Sequence, residues 1–295
     1  MSRIPLTGDL TINVPLPGDT GNGSYQNPYS IQPAIDDLFA NYDLCGHEVT
    51  IKLQAGIKGS ANPYIFYRGV RLSGRFVGQS GQAVPLLNMP GEPPFVIGAH
   101  GPVRIVGSLD PTHPHGAFIY PMPGEGACVS ISECSSLSIE GVGMDSSRNR
   151  QDCIDVFHGA FLNMKDIVFG LAGADFSNHM SLAFGSWAYI SGKVMVSGSA
   201  ASFATIGNNS CLYWNNNGEA GLTIPFEHTA GVNYRDAFLQ VDNGIVYAHA
   251  VNFIGGASGR KFLAMRNGIV STNTGDPNHL PGNVAGILQT GGQYL

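Results

Sequence analysis

At 295 residues, with charged residues at 12%, 40 glycines and 18 prolines, the chain is long enough for a continuous apolar core and too turn-rich for long salt-bridged helices. A formal charge of −6 leaves no basic field to attract a polyanion, which argues against nucleic acid as a direct partner. No stretch reaches the roughly 18 consecutive apolar residues of a spanning helix, so no membrane insertion is expected.

In chain order, residues 1–29 combine alternating apolar positions (Leu10, Ile12, Val14) with the turn-rich run PLPGDTGNGSYQNPY, and read as an N-terminal arm or attachment segment. Ile31, Ala34, Ile35 and Leu38 then recur at helical spacing. With Ser30 as N-cap and Pro33 in the first turn, they predict one short amphipathic helix over 31–41. Val49, Ile51 and Leu53 alternate with polar residues in VTIKLQAG, the period of a half-buried strand, which the helix would cover. Residues 73–101 are rich in Gly and Pro and read as an extended loop.

Beyond that loop short apolar runs return repeatedly: PVRIVG, LSIEGVGM, MKDIVFG, YISGKVMVSG, GLTIPF, FLQVDNGIV and RNGIVS. With Ile139, Ile167, Val194, Leu222, Val241 and Ile269 as equivalent inward positions, the intervals are 28, 27, 28, 19 and 28 residues. Units of that length cannot bury an apolar face alone and must stack on their neighbours. The expected fold is all-β, a right-handed parallel β-helix with a short N-terminal capping helix, spanning 30–275 and followed by a C-terminal tail segment, 276–295. The asparagines Asn208, Asn209, Asn215, Asn216 and Asn217 suit left-handed corners of such a stack. The alternative is an antiparallel sandwich or jelly roll, whose hairpins give turn signals roughly every 8–12 residues.

The segment PGDTGNGSYQNPYSIQPAIDDL followed by VTIKLQAG resembles the opening of pectate-lyase-like β-helices in phage and prophage tail or spike proteins, where a Gly/Asn-rich loop precedes a short capping helix. The closing LPGNVAGILQTGGQYL is similar to the ends of tail-fibre and head-spike proteins of phages and gene transfer agents. The two segments cover both ends of the chain and contain none of its chemistry. The resemblance implies a virion component: a homo-oligomer, commonly a trimer, attached at one end to other virion structural proteins and facing bacterial glycans. Its place would be the virion surface. MSRIPLTGDLTINV lacks the apolar core of a secretory signal peptide, which fits synthesis in the host cytoplasm and release by lysis.

Three roles are carried forward: a receptor-binding spike or fibre subunit for bacterial capsule or lipopolysaccharide, a depolymerase (glycosidase or lyase) on the same scaffold, and a passive decoration protein. Enzymatic activity would need paired carboxylates. Asp145, Asp152 and Asp155 are the candidates, with His158 as a base near neutral pH and Arg148 and Arg150 to hold an acidic sugar or an enolate. The plainer reading puts Asp145 and Asp152 in turns, with the arginines paired to them on the surface. Glycan binding would draw on Arg148, Arg150, Tyr213, Trp214, Asn215 and Asn216, since rings stack on sugars and polar groups bond hydroxyls; CLYWNNNG serves as readily as an ordinary corner. A second aromatic group is Tyr64, Phe66 and Tyr67. His113 and His115 have the spacing of a ligand pair, but prolines interrupt any strand there and no third ligand is placed, so neither metal nor cofactor is expected. The five cysteines are odd in number and lack a C-x-x-C pair, which points to buried thiols instead of a disulfide framework or zinc site.

Overall fold

The computed structural model describes residues 3–56, 64–79, 102–107, 116–147, 151–170, 172, 177–214, 223–249, 251–272 and 274–295. These residues are nearly all β, with one helix, and their strands form parallel sheets of ten, nine and seven strands plus one two-stranded parallel pair. Every recorded strand pairing is parallel, so the antiparallel sandwich is ruled out.

From Val49 to Ile254 the chain visits the large sheets in a fixed rotation: ten-stranded, seven-stranded, nine-stranded, then back. One pass runs Ser136–Glu140, Val142–Met144, Ile154–Phe157; the next runs Phe161–Lys165, Ile167–Phe169, Met180–Ala183, each strand lying beside its predecessor. Alternation of side chains within each strand then builds continuous columns across the strands. In the ten-stranded sheet Ile12, Ile51, Ile105, Ile139, Met164, Ile190, Trp214 and Ala248 are paired in succession along one inward column. Phe169, Phe203, Phe226 and Phe238 fill the interior near the later passes, with edge-to-face contacts such as Phe203–Phe226 at 4.8 Å between centroids.

The expected inward set is corrected by this register. Ile139 pairs with Ile105 and Met164 in the ten-stranded sheet, whereas Ile167 and Val194 pair with each other in the seven-stranded sheet. Val241 lies in the nine-stranded sheet, Ile269 is half-buried in the ten-stranded one, and Leu222 falls outside the described residues. The corner between the ten- and seven-stranded sheets is a single left-handed residue in two passes (Gly141, φ +63°; Asp166, φ +54°), so there two strands of different sheets read as one apolar run.

The corner leading from the nine- to the ten-stranded sheet is also built alike in successive passes. Glu133–Cys134, His158–Gly159, Phe184–Gly185, Asn208–Asn209 and Arg266–Asn267 all have positive φ, and a small residue (Ser135, Ala160, Ser186, Ser210, Gly268) follows each. Asn208 and Asn209 thus hold left-handed corner positions, as their residue type predicts, while Asn215, Asn216 and Asn217 lie outside the described residues.

At the N-terminal end the helix Gln32–Asn41 buries Ala34, Ile35 and Leu38 against the interior. Pro33 sits in its first turn, but Ile31 holds the N-cap position without a side-chain cap, and the Ser30 N–H instead donates to Asp19 Oδ2 at 2.9 Å. Both terminal segments contribute edge strands: Leu10–Val14 pairs with Val49–Leu53, and Gln293–Tyr294 pairs with Ile269–Ser271.

Candidate functional site

The nine-stranded sheet turns alternate positions outward as a polar column, in which Arg71, Ser130, Asp155, Ser181, Thr205 and Gln240 are paired strand to strand. At the foot of the column, between its edge strand and the helix, lies a groove of about 420 Å³ lined by Gln32, Asp36, Phe39, Arg71 and Ser73. The groove and the column therefore share Arg71.

Asp152 lies in the corner that precedes Ile154–Phe157, and Asp155 is the second residue of that strand. The two carboxyl groups hydrogen-bond to one another. Asp152 Oδ1 also accepts the Asn178 N–H at 2.6 Å, and its carboxylate accepts a hydrogen bond from Ser181, whose Oγ in turn accepts from Thr205 Oγ1 at 3.1 Å. Burial raises both carboxyls above the usual range. Asp155 reaches about 7, lifted further by the Asp152 charge and by donating its own proton to Asp152, and pulled back in part by Arg71. Two carboxyls sharing one proton can release or take it near neutral pH. They stand closer than the roughly 5 Å that a glycosidase needs between nucleophile and acid, so they form one acid–base unit and not a nucleophile–acid pair.

The other expected residues are dispersed. Asp145 closes a turn, its Oδ1 accepting the Ser147 N–H at 2.9 Å, as the plainer reading held. His158 occupies a left-handed corner, where its ring stacks on Phe184 at 5.0 Å, and none of the groups that shift Asp155 is this imidazole. Arg148, Arg150, Asn215 and Asn216 lie outside the described residues, as do His113 and His115.

Trp214 requires a correction. Its indole is 1% exposed and packs on Phe203 and Phe226, so no sugar can stack on it in the folded chain. Residue parity decides this: Tyr213, one position earlier, points outward. Yet Tyr213 has Tyr189 parallel to it on one side (5.7 Å, 7°) and Tyr247 on the other (5.4 Å, 57°). With one face stacked on Tyr189 and Tyr247 tilted against the ring on the other side, Tyr213 has little open face left for a sugar. The second aromatic group divides in the same way. Tyr64 and Phe66 are half-exposed and gather with Tyr25 and Phe118, whereas Tyr67 is buried and its hydroxyl donates to the Gln54 carbonyl at 2.8 Å.

Comparison with family models, curated proteins and solved structures finds no match.

Sequence reasoning missed Arg71, Ser130, Ser181 and Thr205. Each is an unremarkable residue until the register places it in one column with Asp155, and the strand alternation VRLS, VSIS and MSLA is the signal that would have assigned Arg71, Ser130 and Ser181 to that outward column.

Proposed function

We propose that the three parallel sheets are the walls of a right-handed parallel β-helix, and that this β-helix is a virion spike or fibre subunit binding bacterial cell-surface polysaccharide. The observation that carries the binding reading is the outward column from Arg71 to Gln240. Hydroxyl, amide, carboxyl and guanidinium groups there repeat at the strand spacing of about 4.8 Å, a regular row of hydrogen-bonding groups that a linear glycan can follow. The virion setting is supported by the resemblance of the two terminal segments to spike and tail-fibre proteins. Such subunits assemble as homo-oligomers, with a trimer the expected number.

The test is binding of purified protein to encapsulated and capsule-deficient cells, with the supernatant glycans analysed from the same tubes. Capsule-dependent binding that falls at least tenfold in Ser181→Leu or Thr205→Leu supports the reading. Equal failure on both cell types removes it and leaves a passive decoration protein.

One observation favours a second reading, a depolymerase: the proton-sharing Asp152–Asp155 unit, with Arg71 as the positive charge on its side of the sheet. A lyase acting on a uronate needs a base to remove the proton α to the carboxylate and a cation to steady the resulting enolate, and this unit with Arg71 supplies both kinds of group. Release of unsaturated uronates, abolished in Asp155→Asn, would establish it; intact glycan after prolonged incubation would eliminate it.

A further inference from the structure

Cys128 and Cys153 immediately precede Val129 and Ile154, which are paired residues of adjacent strands in the nine-stranded sheet. The Val129 N–H donates to the Cys153 carbonyl at 3.0 Å, so the parallel ladder reaches the cysteines themselves. Their thiols are hydrogen-bonded to each other, and both residues are 0% exposed. Neighbouring positions on adjacent strands stand about 4.8 Å apart, inside the Cα separation of roughly 4.4–6.8 Å that a disulfide spans. Cys45, Cys134 and Cys211 have no thiol partner recorded among the described residues.

We propose that Cys128 and Cys153 form a latent disulfide, a covalent brace between two successive passes of the chain that closes when the protein meets a small oxidised disulfide such as oxidised glutathione. One protein thiolate attacks a sulfur of the oxidant, breaks its S–S bond and releases one reduced thiol. The second protein thiolate then attacks the protein-bound sulfur of the mixed disulfide and releases the other. The two cysteines give up two protons and two electrons, and two molecules of reduced thiol leave.

Burial determines when this happens. It holds the Cys128 thiol well above its ordinary pKa, and Cys153 beside it adds to the effect, so few thiolates form while the sheet is closed. Exchange therefore accompanies folding or transient opening of the strands Val129–Ser132 and Ile154–Phe157. A chain made in a reducing compartment and later released would acquire the brace after release. The inference stands on the strand register and does not depend on what the outer face binds.

The experiment uses the full chain with Cys45→Ser, Cys134→Ser and Cys211→Ala, so that only the buried pair remains. It is held with oxidised glutathione in urea below the unfolding transition, then unfolded and alkylated. The expected result is loss of both free thiols, recovery of one cross-linked peptide joining Cys128 to Cys153, and a melting temperature about 5 °C higher, returned by dithiothreitol. A further Cys153→Ser change, made in a chain whose β-signal shows that it folds, should abolish the rise. Two alkylatable thiols after incubation in urea that opens these strands to hydrogen exchange would overturn the proposal, as would a cross-linked chain that melts no higher than the reduced one.

Discussion

Asp155 illustrates how a single side chain carries both chemistry and stability. Its carboxyl is raised to about 7 in the folded chain against 3.8 as the ordinary value, chiefly by burial and then by Asp152. The folded state holds that proton between these pH values and the unfolded state does not. The contribution to stability is therefore complete below pH 3.8 and is lost as pH rises through 7. Asp155→Asn removes the charge that is costly above pH 7. At pH 8 the variant should be more stable than the parent by about 2–4 kcal/mol, and at pH 4 the two should be nearly equal. Urea midpoints at the two pH values measure this, and a difference independent of pH would show that the carboxyls are not sharing a proton. The pairing of Asp152 with Asp155 was legible because both lie in one short acidic stretch. Arg71, some eighty positions earlier, was not, because only strand register brings it near. Trp214 was misread for the opposite reason: its asparagine neighbours suggested a surface, while alternation along Cys211–Trp214 turns the indole inward.

At the scale of elements, the helix and the first long strand were readable from their apolar spacing, and the structure places them at Gln32–Asn41 and Val49–Leu53. The helix has no side-chain cap, so its stability rests on Ala34, Ile35 and Leu38 buried against the interior. Leu38→Ala should cost about 2–5 kcal/mol and should raise hydrogen exchange in the helix before it does so in the central strands. The corners were legible only in part. Asn208 and Asn209 were recognised by residue type, but Cys134, His158 and Phe184 hold equivalent left-handed positions with side chains that give no such hint. A better marker is the small residue that follows: Ser135, Ala160, Ser186 and Ser210 are each buried where successive passes meet, and the serine hydroxyls satisfy backbone groups, as Ser186 Oγ donates to the Val156 carbonyl at 2.7 Å and Ser210 Oγ accepts the Ser186 N–H at 3.1 Å. Because φ is +64° at Asn209, Asn209→Gly should be tolerated, whereas Asn209→Val should lose about 1–2 kcal/mol, measurable as a lowered urea midpoint.

Across the whole molecule, the sequence signalled repetition correctly and the length of the repeat less well. In the inward column of the ten-stranded sheet, Ile139, Met164, Ile190 and Trp214 follow one another at 25, 26 and 24 residues, and insertions at corners lengthen the next step to 34, so apolar spacing alone blurs the beat. Stacked passes also pool their titrations, and here the signs oppose. His179 and His228 are buried, and burial lowers each to about 4 from 6.5; their stabilising contribution is whole above pH 6.5 and is lost as pH falls towards 4. Between pH 7 and 5 the two histidines together withdraw about 4 kcal/mol, while proton uptake at Asp155, already half protonated at pH 7, returns about 2 kcal/mol. Glu140 and Asp236, both held below their ordinary values by ion pairing, act below this window, and the lowered His249 and His279 add to the histidine side. The parent chain should therefore lose only about 2 kcal/mol on acidification from pH 7 to 5, whereas Asp155→Asn, left with only the raised Asp152 to oppose the histidines, should lose more, up to about 4 kcal/mol. Equal losses in the two chains would mean that the carboxyl pair and the buried imidazoles do not titrate against one another, and that the mild acid response has another source.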